Sequence, residues 1–314
     1  MNRSDVFLAY LVIALAIFGS FNSHAAEERK GDWTLHRSEE PGKLDFALIE
    51  RHTNGNSNHE SSWPFSVFVG LDISKPGRHD VKFMVTRDAG RFECEGFLQD
   101  SDGTGFFRFA ADPAYRQAME AMGFRGIDDD KQYELAVKDV SLAFAKEMKN
   151  ENLEGLDTDK LIAFRIFHVD DAFIRELRAA GIPVKDCDKL IAFRIHGVTP
   201  EMVRFLKEGG YQPDEDMLIA MRIHGVTQEW MNQLQQKGYS HIDLQELIAF
   251  RIHGVSPEFI QRLQALGYKH PDPDQLVALR IHGVTPEYIN SLKSHGMKDL
   301  SIDQIVSMRI QGID

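Results

Sequence analysis

The chain has little cysteine: Cys94 and Cys187 are the two in 314 residues. No C-x-x-C pair and no mixed Cys/His cluster occurs, so a thiolate metal site or dithiol redox centre would have no ligands to use. It also lacks an excess of positive charge. With 36 Lys and Arg against 48 Asp and Glu the formal net charge is −12, a field that repels nucleic acid and anionic membranes. Nor does any nucleophile elbow, phosphate-cradling glycine loop, H-E-x-x-H zinc motif or obvious pair of catalytic carboxylates appear. These absences point away from an enzyme, and no cofactor is expected. Long apolar runs are missing as well, with one exception. "VFLAYLVIALAIFG" (Val6 to Gly19) is short of the roughly 20 apolar residues of a membrane helix.

That exception is an address. Arg3 precedes the run, and "SHAA" (Ser23 to Ala26) offers small residues for cleavage after Ala25, the three-part pattern of a secretory signal. Residues 1–25 are therefore expected to be a signal peptide. The mature protein is expected to be exported, periplasmic or secreted, with no integral membrane span. Export makes a disulfide chemically possible. Cys94 and Cys187 fall in different expected domains, and two free thiols is the simpler expectation.

Residues 27–111 read as a small antiparallel β-domain. "VKFMVT" alternates at Val81, Phe83 and Val85, "RDAG" turns, and "RFECEGFL" alternates at Phe92, Cys94 and Leu98. "DFALIER", "PFSVFVGL" and "FFRF" supply further strands, about six in all, in a sheet or sandwich. The polar stretch "HTNGNSNHESS" (His52 to Ser62) reads as a loop.

What the chain has in abundance is one phrase, "FRIHGVTPEMVRFL", rewritten at a fixed interval. Its arginine recurs as Arg165, Arg194, Arg222, Arg251, Arg280 and Arg309, in steps of 28 or 29 residues. Eight residues before each stands Asp157, Asp186, Asp214, Asp243, Asp272 or Ser301, all good helix N-caps. A second acid (Asp159, Asp188, Asp216, Asp274, Asp303) suits the positive end of the helix dipole. This helix A stops at Gly197, Gly225, Gly254, Gly283 or Gly312. Helix B then starts on Thr199, Thr227, Ser256 or Thr285, often with proline next, and ends at Gly181, Gly210, Gly238, Gly267 or Gly296. "GVTPE" is thus a helix–turn–helix joint. The register extends backwards through "DVSLAF" and "DPAYRQAMEAMGF", and the expected array runs from 112 to 314. One pair of short helices cannot bury its apolar face alone, whereas stacked pairs can. The expected fold is therefore α+β: a small antiparallel β-domain followed by an α-helical solenoid of about seven 28–29-residue αα repeats.

Two ladders within the phrase are candidate sites. His196, His224, His253 and His282 invite a metal. Zinc needs three or four ligands converging at 2.0–2.1 Å, however, and residues on successive units lie about a helix diameter apart. A helix C-terminal residue bonding a free carbonyl is the plainer reading, and no metal is expected. The arginines read first as guanidinium groups bonding carbonyls between layers or pairing with Glu201, Glu229, Glu258 and Glu287, and second as an anion-binding strip. Helix B positions that vary from unit to unit (Arg204, Lys207, Gln233, Gln261, Asn290) are candidates to face a partner. A helix-hairpin-helix clamp on nucleic acid has similar spacing, but Thr285-Pro286 replaces the second glycine that exposes backbone N–H groups to phosphate, so no nucleic acid is expected.

On these residues the array resembles the bacterial exported "RIHGVTPEY" αα-repeat proteins. It is similar to repeats appended to β-lactam-sensor-type membrane metallopeptidases, whose peptidase part has no counterpart here. The resemblance implies an envelope docking or sensing module. The expected function is a non-catalytic exported scaffold that binds an envelope protein through the repeat surface. A glycan- or small-ligand-sensing module is the alternative.

Overall fold

The computed structural model describes residues 29–52 and 55–313. The expected signal peptide lies outside the described residues. The chain divides into two compact units, 1–141 and 142–314.

The first unit is built on seven strands: β1 (Arg29–Arg37), β2 (Lys43–His52), β3 (Gly55–Pro64), β4 (Phe68–Val69), β5 (Arg78–Arg87), β6 (Gly90–Gln99) and β7 (Asp102–Ala111). They form one antiparallel sheet in the order β3-β2-β1-β7-β6-β5-β4. The sheet curls. Phe46 of β2 meets Phe83 of β5 at 6.1 Å although three strands separate them, and Trp63 of β3 meets Phe92 of β6 at 6.2 Å. Inward residues alternate as expected, with Trp33, Leu35, Phe46, Leu48, Val85, Phe92 and Leu98 fully buried. Gly105 permits the close approach of the paired strands β6 and β7, because a Cβ there would sit 2.1 Å from the Glu95 carbonyl oxygen.

Two expectations fail in this unit. The stretch "PFSVFVGL" is not a full strand: a 3-10 turn at Phe65–Val67 leads into the two-residue β4. The polar stretch read as a loop is mostly strand β3, paired with β2 from Lys43↔Pro64 to His52↔Gly55. The strand lies at the edge of the sheet order. A polar sequence can hold an edge position because backbone pairing forms it and one face stays in water.

Fourteen helices follow among the described residues. α1 (Pro113–Ala121) and α2 (Asp129–Val137) belong to the first unit, and α2 closes the curled sheet. Its Tyr133 is fully buried, with ring centroids 5.3 Å from Phe109 and 5.9 Å from Phe92. Ala136, which holds the arginine register, is fully buried here. The expected array begins at 112, whereas the two compact units divide at 141.

The second unit holds α3 (Leu142–Asn150), α4 (Thr158–Phe167), α5 (Asp171–Ala179), α6 (Cys187–His196), α7 (Pro200–Glu208), α8 (Glu215–Ile223), α9 (Gln228–Gln236), α10 (Leu244–His253), α11 (Pro257–Ala265), α12 (Pro273–Ile281), α13 (Pro286–Ser294) and α14 (Ile302–Ile310). Every expected cap is in place. Asp157, Asp214 and Ser301 accept a backbone N–H at the start of helix A, and Thr199, Thr227, Ser256 and Thr285 do so for helix B.

The valine of "GV" completes the joint. The N–H groups of Val198, Val226, Val255 and Val284 return to Phe193, Met221, Phe250 and Leu279 at 2.8 Å, and each valine is at most 2% exposed. This is the hydrophobic closure of a Schellman motif around a left-handed glycine. Helices touch alternately: α4 with α6, α6 with α8, α8 with α10, α10 with α12 and α12 with α14 on one side, and α5 with α7, α9 with α11 and α11 with α13 on the other.

Candidate functional site

The arginine ladder interlocks consecutive helix A termini. Arg222 Nε donates to the His196 carbonyl at 3.1 Å, Arg251 to His224 at 3.0 Å and Arg280 to His253 at 3.3 Å. Each accepting carbonyl is one that its own helix leaves unpaired. The guanidinium carbon of Arg251 lies 5.1 Å from the ring centre of Trp230, that of Arg280 5.0 Å from Phe259, and that of Arg309 4.8 Å from Tyr288. Cation–π attraction and a charged hydrogen bond thus act on one group.

The phrase "RIHG" consequently reads itself. The arginine of one copy grips the His-Gly end of the copy before. At Gly225 a Cβ would stand 2.7 Å from Arg251 Nη2. The chain carries its own control. His168, at φ 57°, takes the glycine place after α4. The corresponding Arg194 keeps its ring, with Phe173 at 3.7 Å, but its buried Nε has no hydrogen-bond partner.

Other ties repeat with the same step. Lys160 pairs with Asp188, and Lys189 with Asp216, joining the first turns of neighbouring A helices. These partners raise the pKa of both lysines. Lys207 Nζ donates to the Gly181 carbonyl, and Lys293 Nζ to that of Leu266, each at 2.6 Å. The hydroxyls of Tyr239 and Tyr268 donate to the carbonyls of Pro271 and Leu300 at 2.7 and 2.9 Å. First turn tied to first turn and last turn to last turn means that the A helices lie side by side in one direction.

The glutamates seven residues after each arginine sit at the start of helix B. Their own backbone N–H and the capping hydroxyl hold Glu201, Glu229 and Glu258 below the usual carboxylate range. For Glu287 a hydrogen bond from Arg262 is the larger cause. Of the expected partner-facing residues, Gln233 and Asn290 are exposed, Gln261 is exposed but accepts from Lys237 Nζ at 2.9 Å, and Arg204 is exposed but bonded to Glu201. Lys207 is a structural tie rather than an open cation.

His196 and His253 end α6 and α10, and His224 and His282 cap α8 and α12. Among the described residues, no three His, Cys, Asp or Glu side chains are grouped to hold an ion. Cys94 and Cys187 are buried and free.

The composition of the phrase concealed one feature. Its isoleucine is exposed in every copy: Ile166 45%, Ile195 54%, Ile223 56%, Ile252 54%, Ile281 55% and Ile310 62%. On the same helix face lie half-buried Ile162, Ile219, Ile248, Val277 and Val306 four residues earlier and the alanines Ala163, Ala192, Ala220, Ala249 and Ala278 three residues earlier. Helical periodicity makes every apolar residue of helix A look like core. The signal available in sequence was that leucine or phenylalanine already fills the buried stripe (Leu218 and Met221, Leu247 and Phe250), leaving the isoleucine on another face.

In the first unit, Lys30, Asp32, Glu93, Glu95, Phe106 and Arg108 line an open depression of about 550 Å³. Phe106 is 70% exposed there. No helix of the described residues is long and apolar enough to cross a membrane. No protein-family model matches the chain, and no curated protein matches it either.

Proposed function

We propose that this protein is an exported, non-catalytic scaffold of the cell envelope. In this reading its paired helices stack as a solenoid of about seven 28–29-residue repeats, related to the exported "RIHGVTPEY" repeat proteins, and bind a protein partner. The observation that carries the reading is the row of exposed isoleucines, one per copy from Ile166 to Ile310, on helices that touch in sequence. Contiguous exposed apolar surface on a folded protein marks an interaction site. The repeated ties between successive helices support the stacking.

A photo-crosslinking residue placed singly at Ile223, Ile252, Gln233 and Gln261 in intact cells tests the scaffold. A defined protein adduct from at least one position is expected. Absence of adducts from all four refutes the reading. A second reading, recognition of a glycan, draws on Phe106 in the sheet depression, where an exposed ring flanked by carboxylates and cations offers stacking and hydrogen bonds to a sugar. Loss of glycan binding in a Phe106→Ala variant would favour it.

A further inference from the structure

We infer that the pocket walled by α7, α8 and α9 takes one aromatic side chain of the protein partner, whose ring lies against Arg222. The inference rests on the scaffold reading and names the group that anchors the partner.

The array is its own template. Arg165 lies over Phe144, Arg194 over Phe173, Arg251 over Trp230, Arg280 over Phe259 and Arg309 over Tyr288. Each of these rings stands 21 residues before its arginine. Among the described residues Arg222 is the ladder arginine without such a ring, because the equivalent place on α7 holds Met202. Its Nε is fixed on the His196 carbonyl at 3.1 Å, and the side chain is exposed.

Where the ring is missing there is an apolar pocket. About 260 Å³ opens against Arg222, and Met202, Phe205, Leu206, Met221, Val226 and Met231 form the apolar part of its wall. A hollow of about 240 Å³ also opens at Arg280. There Phe259 stands in the wall, and Ser256, Glu258, Arg262, Thr285 and Glu287 make the rest mostly polar. The B helices α5 and α7, α9 and α11, and α11 and α13 pack together, whereas α7 and α9, which flank the apolar pocket, pack less closely.

The lining suits a ring. Methionine sulfur is favourable against an aromatic edge, and its unbranched chain adapts to what enters. The guanidinium adds the cation–π contact made in the other copies. Pockets that enclose a whole small ligand start at about 300 Å³, so this one holds a single side chain. One ring binds weakly alone, but within a larger interface a pocketed aromatic is the kind of anchor that dominates protein association.

The test follows the methionine methyl groups of the full chain by NMR during addition of N-acetyl-tryptophanamide, a blocked side chain. Ring-current shifts at Met202, Met221 and Met231, with a millimolar dissociation constant, are expected. N-acetyl-leucinamide should bind at least about fivefold more weakly. Met202→Phe supplies the ring from within the chain and should abolish the shifts at Met221 and Met231 with helical circular dichroism retained. Arg222→Gln leaves the apolar wall in place and should weaken binding about threefold.

No shift at the three methionines, equal binding of the leucine compound, or undiminished binding to either variant overturns the inference. So does binding of free indole at least about tenfold tighter than the blocked amide, because a small molecule would then be the occupant. A wild-type dimer in sedimentation that Met202→Phe dissociates overturns it too, because the ring would come from a second copy. The scaffold reading is decided separately, by the cellular crosslinks.

Discussion

Replacing Gly225 with alanine isolates the contribution of the arginine interlock. Gly225 and Gly283 end equivalent helices at φ 69° and 67°, so a side chain at either costs roughly 1–2 kcal/mol of left-handed strain. Their surroundings differ. A Cβ at 225 meets Arg251 Nη2 at 2.7 Å, whereas at 283 it meets nothing within 4 Å. In Gly225→Ala the guanidinium must shift, which weakens its bond to the His224 carbonyl. A charged hydrogen bond contributes about 1.5–3 kcal/mol, and less at this exposed position, so about 1 kcal/mol of additional loss is expected. Urea unfolding followed by helical circular dichroism should show a total cost of about 2–3 kcal/mol at 225 against about 1–2 at 283. The cycle Gly225→Ala with Arg251→Ala should show a coupling of about 1 kcal/mol. Equal costs at the two glycines, or a coupling below about 0.3 kcal/mol, would refute the interlock. The Arg194 arrangement indicates where the shifted group goes: it keeps the ring, here Trp230, while its bond to the carbonyl weakens.

Three further outcomes follow from the same geometry. Met202 occupies the place that Trp230, Phe259 and Tyr288 fill in other copies, beside a pocket of about 260 Å³ that Arg222 also lines. Met202→Phe should stabilise the array by about 0.5–1 kcal/mol through a restored ring, and destabilisation in urea would count against that account. The carboxylates of Glu229 and Glu258 are held low in the folded chain, so their stabilisation is present above the ordinary glutamate range and is lost as pH falls through their depressed values. The urea midpoint of wild type should therefore drop more steeply below about pH 4.3 than that of Glu229→Gln/Glu258→Gln, and parallel curves would contradict the assignment. Burial pushes the Cys187 thiol up to about 12 and the Cys94 thiol upward as well. Neither should react with a disulfide reagent at pH 7.5 until urea exposes both, and rapid labelling of the folded chain would refute their burial.

The helices were legible because their signals are local. An aspartate or threonine that accepts an N–H three residues on, a proline at the first helical position and a glycine at positive φ each act within one turn, and the chain repeats them in register. Alternation likewise disclosed the inward faces of β5 and β6. Strand β3 was not legible, because a polar edge strand is held by its neighbour's backbone and not by its own side chains. The packing of α2 with the sheet was hidden for a related reason: its cap matches the repeat, and only the aromatic cluster around Tyr133 shows what it packs against.

The candidate site divides in the same way. Sequence alone determined that an arginine, a histidine and a glycine recur together, and that helix A carries more apolar residues than one buried stripe can use. Tertiary structure decided that the arginine serves the preceding copy and that Lys207 is a tie. It also decided that the isoleucine faces water. Those facts depend on which helix lies beside which, a relation between residues 26 or 27 positions apart in the arginine ties, which no local preference encodes.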